Sequence, residues 1–169
     1  MNKTAPTDEV RYGIHSSPFG FFVVGTLSGS VCLLSFLEGR SDALANKAIR
    51  RDWPMARLVR DDRGTAAIAA AAFSSVRTRP QLRCILAGTD FQIKVWTALA
   101  KIPKGKTASY QEIAARIGSP RSARAVGSAC GKNSIGLLIP CHRVLASTGE
   151  LGGYRWGTKR KEAILAWES

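Results

Sequence analysis

Only a few side chains in this sequence could carry covalent chemistry, and the densest group of them is Ile139-Pro140-Cys141-His142-Arg143-Val144. A thiolate attacks carbon and a thiol does not, so a nucleophilic cysteine needs a base or a positive field beside it. His142 follows Cys141 directly and Arg143 supplies positive charge. In an extended segment adjacent side chains point to opposite sides, which makes direct Cys141–His142 contact awkward and favours a proton relay through water. An imidazole used in this way has its far nitrogen held by a carboxylate, and Glu162 and Glu168 are the candidates. Pro140 pins the approach to the cysteine. Gly149, Gly152 and Gly153 allow a loop to fold back over it, so that Tyr154, Arg155 and Trp156 wall a pocket for a planar base. The plainer alternative is a buried cysteine beside a hydrogen-bonded histidine.

The elements that must position this group are legible in part. Phe91, Val95, Leu99 and Ile102 recur at helical spacing and predict a helix over 89–100, stopped by Ile102-Pro103-Lys104-Gly105. A second helix is predicted over Ser109–Ile117, where Ser109 and Glu112 form a capping box. Gly118-Ser119-Pro120 is a sharp turn, and Ser122–Gly131 is a third helix. Helix, short turn and helix make a helix-turn-helix candidate. The third helix runs Ser122, Ala123, Arg124, Ala125, Val126, Gly127, Ser128, Ala129: small residues around one long cation. Such a face suits tight helix–helix packing with Arg124 exposed, or a helix pressed into a DNA minor groove with Arg124 entering the base stack.

The first half of the chain has a different texture. Phe19–Thr26 and Ser30–Leu37 read as a hairpin, Ser41–Arg51 and Asp62–Val76 as helices, and Leu82–Leu86 as a short return strand. Residues before about Val10 read as loose. A small sheet with helices packed on it accounts for this half, in which no catalytic group is evident.

Composition limits the function classes. The 169 residues carry 25 Lys+Arg against 12 Asp+Glu, a net charge of +13. Residues 1–88 hold 12 basic and 7 acidic side chains and 89–169 hold 13 and 5, so the second half is the more basic. A polyanionic partner is expected. Apolar runs are too short for a bilayer span, and the polar stretch Met1–Arg11 does not resemble a secretory signal. A cytosolic setting with reduced thiols is therefore expected. The four cysteines and two histidines lack the paired spacing of a zinc site, so neither metal nor cofactor is expected, and Cys32 and Cys84 read as core residues.

The run Pro140-Cys141-His142-Arg143-Val144 resembles the active-site signature of the O6-alkylguanine-DNA alkyltransferases. The resemblance extends through Gly88-Thr89-Asp90-Phe91-Gln92, Val95-Trp96, Ile102-Pro103, Ser109-Tyr110, Ile113-Ala114, Arg124-Ala125-Val126-Gly127, Asn133 and Gly153-Tyr154-Arg155-Trp156-Gly157. The last block is most similar to bacterial members, including the C-terminal part of Ada-type regulators. The resemblance implies a ribonuclease-H-like α/β N-terminal domain at 10–86 and a mostly α C-terminal domain with a helix-turn-helix at 88–169. It implies a monomer that moves an alkyl group irreversibly, once per chain, from O6 of guanine (or O4 of thymine) in double-stranded DNA to Cys141, with the target base flipped out. In that scheme His142 takes the thiol proton, Glu168 orients the imidazole, Tyr110 donates toward the leaving guanine and Asn133 ties the turn before Cys141. Arg124 fills the gap in the stack, with Ser122, Ala123, Ala125 and Gly127 on the DNA face. Val144, Tyr154 and Arg155 lie around the base. The animal members' zinc ligands have no counterpart, and Gly136 stands where those members carry a proline. The rival expectation is a helix-turn-helix binding module in which Cys141 is incidental.

Overall fold

The computed structural model describes residues 8–74 and 81–169, and the chain divides after Ala87 into two compact units. In the first unit, strands β1 (Glu9–Ser17), β2 (Gly20–Leu27), β3 (Ser30–Phe36) and β4 (Arg57–Arg60) form one sheet in the order β3-β2-β1-β4. β1–β2 and β2–β3 pair antiparallel, while β1–β4 is parallel. Ser28 (φ 49°) and Gly29 (φ 75°) close the β2–β3 hairpin, the two positive φ values that a tight two-residue turn requires.

Register separates the two faces of this sheet. Tyr12 pairs with Gly25 and Gly25 with Leu33, while Ile14 pairs with Val23. With Val10 these residues pack against Ala45, Ile49 and Trp53 of α1 (Asp42–Asp52) and the residue after it. On the other face, Phe22 pairs with His15 and Phe36, and its ring stands edge-on to Phe73, 5.1 Å between centroids, at the end of α2 (Asp62–Ala72). The alanines of α2 let it lie close to the strands. Gly13 is where it comes closest: a Cβ there would stand 2.0 Å from Thr65 Oγ1 and 2.9 Å from the backbone of Asp62.

The second unit is mostly helical: α3 (Asp90–Leu99), α4 (Tyr110–Arg116), α5 (Ala123–Gly131) and α6 (Thr158–Glu168). Thr89 caps α3 and Ser109 caps α4, both through complete capping boxes. Two-residue strands β5 (Ala108–Ser109) and β6 (Val144–Leu145) pair in parallel, which sets the start of α4 beside the chain that follows Cys141. Val95, Leu99, Ile113, Val126 and Ile164 are fully buried, and Trp96 Nε1 donates to the Ala129 carbonyl at 2.9 Å to join α3 to α5.

Several expectations are corrected. β1 begins at Glu9, and of the stretch read as loose, residues 1–7 lie outside the described residues; β4 and α6 have no counterpart in the sequence reading. Leu82–Leu86 is no strand; it makes a single bridge, Val31 with Cys84, and Cys84 is only half-buried. α2 ends at Ala72, and Val76 lies outside the described residues. Cys141 is in a turn of 3-10 helix, Cys141–Arg143, and not in an extended segment.

Gly13→Ala tests the tight approach of α2 to β1. Its methyl group must displace backbone, so we expect a loss of about 1–3 kcal/mol, read as a lower urea midpoint of the whole chain. An unchanged midpoint would show that α2 is free to move away.

Candidate active site

The site is built on the inner face of α6 and the 3-10 turn facing it. Lys161, Ile164 and Glu168 are the buried residues of α6, spaced to lie on one side of the helix. Glu168 Oε1 is 3.0 Å from His142 Nε2, while Arg143 donates to the same carboxylate from Nε at 2.8 Å and from Nη2 at 2.7 Å. Arg143 also donates through Nη1 to the Ile102 carbonyl. Burial raises the Glu168 pKa, but the hydrogen bonds from Arg143 and His142 outweigh it and hold the carboxyl at about 2. An ionised carboxylate only accepts, so the proton of a neutral His142 sits on Nε2 and the lone pair is on Nδ1. Burial lowers the His142 pKa; Glu168 pulls it up, and Arg143 and Lys161 add to the lowering. Nδ1 is itself buried and has no hydrogen-bond partner among the described residues. The imidazole is thus neutral, fixed in tautomer, and has a free basic nitrogen.

Cys141 is 4% exposed. Burial pushes its thiol pKa up to about 11, against a hydrogen bond from Asn133 and the charge of Lys161. At neutral pH only about one such thiol in ten thousand is ionised, so the sulfur depends on a base for its reactivity. The 3-10 turn leaves Cys141 and His142 adjacent without the alternation of a strand, which removes the objection to their cooperation that an extended chain would raise.

Asn133, 1% exposed, fixes the sulfur from the other side. Its Nδ2 donates to the Ile139 carbonyl at 2.8 Å and lies 3.2 Å from Cys141 Sγ, while its Oδ1 accepts from Ile135 N at 3.0 Å. Arg155 Nη1 donates to the Asn133 carbonyl at 2.9 Å. One residue therefore joins the end of α5, the approach to Cys141 and the loop that carries Arg155, the last through its backbone carbonyl.

In front of the sulfur is a cavity of about 340 Å³, lined by Tyr110, Cys130, Cys141, Tyr154, Arg155 and glycines that include Gly127. Tyr110 heads α4 at its wall; burial, then the nearby Cys130 and Cys141, raises its pKa, so it is a phenol with a proton to give. Gly152 (φ 65°) closes against it, since a Cβ there would come within 3.0 Å of the Tyr110 hydroxyl. Tyr154 is raised in the same direction, chiefly by burial. Trp156 is not among the lining residues expected of it; it stands edge-on to Tyr154, centroids 5.2 Å apart.

The other sequence-derived candidates fall as follows. Glu162 is exposed, so of the two carboxylates only Glu168 meets the imidazole. Arg124 and Ala125 are exposed on α5, and Ser122, Ala123 and Gly127 are half-buried. Val144 is buried and its carbonyl accepts from Lys161 Nζ at 2.7 Å. The charge acting on the Cys141 sulfur comes from Lys161, whereas Arg143 is committed to Glu168. The sequence reading passed over two residues of the site. Lys161 is fully buried and also donates to the carbonyls of Leu151 and Gly153, clamping the loop beside the cavity. Cys130 adds a second thiol to the cavity wall, its pKa pushed up to about 12 by burial and then by Cys141. A buried lysine surrounded by carbonyls leaves no mark in local sequence.

Comparison with known proteins identifies the family of the chain. The family model "6-O-methylguanine DNA methyltransferase, DNA binding domain" matches residues 90–169. The regulatory protein Ada of Salmonella typhimurium is 38% identical over 163 residues, 95% of this chain and 46% of that protein. A methylated-DNA–protein-cysteine methyltransferase of Mycobacterium bovis is 50% identical over 98 residues, 58% of this chain and 59% of its own length. The chain thus spans about half the length of the curated relatives it matches. No helix among the described residues is long and apolar enough to cross a membrane. The structure of Mycobacterium tuberculosis OGT in complex with DNA superposes with a TM-score of 0.77 at 37% identity, covering 94% of this chain and 92% of that one. Likeness of that extent at that identity, with its mixed sheet and helices in common, makes this chain a member of the O6-alkylguanine-DNA alkyltransferase family.

Proposed function

We propose that the protein repairs double-stranded DNA by moving the alkyl group of O6-alkylguanine onto Cys141. The observation that carries this reading is a buried thiol at a cavity, next in the chain to a neutral imidazole whose far nitrogen is held by Glu168. His142 Nδ1 takes the thiol proton through one water. The sulfur lone pair forms the S–C bond as the C–O6 bond breaks, and its electron pair passes into the guanine ring. Tyr110, a protonated phenol, donates toward N3 and offsets that charge. Arg143 and Glu168 stay charged throughout. The product is a thioether with no facile return, so each chain reacts once.

O6 lies in the major groove of a stacked pair, and α5 offers the small-residue face that suits the minor groove. The base must therefore leave the stack, at a cost of a few kcal/mol that a poorly pairing alkylated guanine reduces. We place α4 and α5 as a helix-turn-helix, with Ser122, Ala123, Ala125 and Gly127 against the backbone and Arg124 in the vacated stack. Tyr154, the backbone of Arg155 and the segment at Val144 receive the flipped base. We read residues 10–86 as a ribonuclease-H-like domain and 88–169 as the alkyltransferase domain. The protein acts as a cytoplasmic monomer without a cofactor.

After incubation with duplex DNA bearing O6-methylguanine, intact mass is expected to rise by one methyl per chain, located at Cys141. Cys141→Ser abolishes the gain and keeps DNA binding. Methylation that persists in the serine variant would place the acceptor elsewhere.

Arg124→Ala is expected to slow repair of duplex DNA by about ten- to a hundredfold, since 1.4 kcal/mol is a factor of ten, and to spare reaction with the free modified base. Equal losses on both substrates would remove Arg124 from base flipping.

The pH profile follows from His142. Its pKa lies below the ordinary 6.5, so the neutral, basic form persists through neutrality and is lost only as pH falls through that lowered value. The single-turnover rate should hold down to pH 6.5 and fall below it. An acid limb centred above pH 6.5 would contradict a neutral imidazole as the base.

A further inference from the structure

A second cavity, of about 490 Å³, lies on the C-terminal unit between α3 and the end of α4. Helical spacing explains it. Val95, Trp96 and Leu99 turn one side of α3 into the core, which leaves Ile93, Thr97 and Lys101 in one row and Lys94 and Ala98 in the next. Arg116 and Ile117, at the end of α4, form the opposite wall. Ile93, Ala98 and Ile117 are each partly exposed along the floor, and Lys94, Lys101 and Arg116 are exposed at the rim. Among the described residues Lys94 and Lys101 form no ion pair. Arg116 acts electrostatically on Glu112, one turn back, but that carboxylate already accepts from Ser109 N at 2.6 Å.

We propose that this groove is a docking site for an acidic amphipathic segment of a partner protein, its carboxylates meeting the three cations and its aliphatic or aromatic side chains filling the floor. This goes beyond the repair reaction and does not depend on it: none of the groove's lining residues is shared with the Cys141 cavity. Charge complementarity selects the occupant. A second copy of this chain carries a net charge of +13 and is repelled. Of its acidic stretches, Asp61-Asp62 is taken up by Gly64 N and Arg60, and Glu9 by Arg57 and Arg11. Phosphates of duplex DNA would satisfy the cations but leave the aliphatic floor uncovered, whereas alternating carboxylates and apolar groups match both features. Pairing across such a rim sets on-rate and selectivity, and the buried apolar anchors supply the affinity.

The test uses the full chain and a fluorescent synthetic peptide with Glu and Leu at helical spacing, followed by anisotropy. A control peptide has Gln in place of every Glu. Micromolar binding of the acidic peptide is expected, with the control at least about tenfold weaker. Lys94→Glu with Lys101→Glu should weaken the acidic peptide by about tenfold or more, and Ile93→Ser should weaken it without altering charge. Both lysines are exposed, so the charge-reversed chain is expected to fold, which its urea midpoint checks. Methyl transfer from duplex DNA and affinity for undamaged duplex should stay at the wild-type level in the charge-reversed variant. No peptide binding, or binding indifferent to these substitutions, overturns the proposal. A fall in duplex affinity with a shallower salt dependence also overturns it, and assigns the rim to phosphate contacts.

Discussion

One carboxylate organises the active site. Glu168 is buried and accepts from both His142 and Arg143, so a single side chain on α6 fixes the imidazole's tautomer and cancels the guanidinium beside it. A buried charge is tolerated only when it is paired and hydrogen-bonded, and removing one partner of such a pair costs about 3–5 kcal/mol. Replacing the whole set with apolar side chains of similar volume would be close to neutral for stability. Folding alone therefore gives no reason for these charges to be here. Their use is electrostatic: burial keeps His142 uncharged against the pull of Glu168, and the charge of Arg143, itself paired with that carboxylate, adds to the lowering. A carboxylate facing the imidazole alone would raise the His142 pKa, and a protonated ring could not accept from Cys141.

The thiol is governed by the opposite balance. Burial keeps Cys141 protonated, while Asn133 and Lys161 lower the cost of ionising it without reversing the effect. A sulfur that is a thiol at rest is protected from stray electrophiles and oxidants, because both react with the thiolate. It becomes a nucleophile when a proton acceptor and a carbon centre are present together. The same two residues also hold backbone in place: Asn133 secures the turn before the cysteine and Lys161 the loop after it. Electrostatics and positioning are here one set of hydrogen bonds.

How much of this could be read in the sequence depended on which forces the local pattern records. The hairpin, α1 and the helices α3–α5 were visible because their apolar residues follow a period and their caps are local. The Ser109–Glu112 box was found in full. β1 carries no strand pattern, because α2 lies so close that Gly13 is required at its centre, and its other positions include His15, Ser16 and Ser17. The 3-10 turn at Cys141 is too short to have a period. Of the chemistry, the Cys141–His142 pair was apparent from adjacency and Glu168 was one of two candidates. Its choice over Glu162 rests on which side of α6 each occupies, and α6 itself had not been recognised.

The weak sequence signal of α6 has a physical cause. A surface helix announces itself by an apolar stripe against a polar one, and on α6 the stripe is broken where the active site needs charge: two of the three buried positions are Lys161 and Glu168. The residues that serve the thiol are thus the ones that conceal the helix carrying them. Local propensity, pattern and packing agree through most of this unit and part company along one face of one helix. Where a sequence contradicts its own periodicity at positions the fold must bury, the contradiction itself points to groups held for chemistry at an energetic cost that packing alone would not accept. In this chain it leads from Glu168 and Lys161 to the sulfur they both serve.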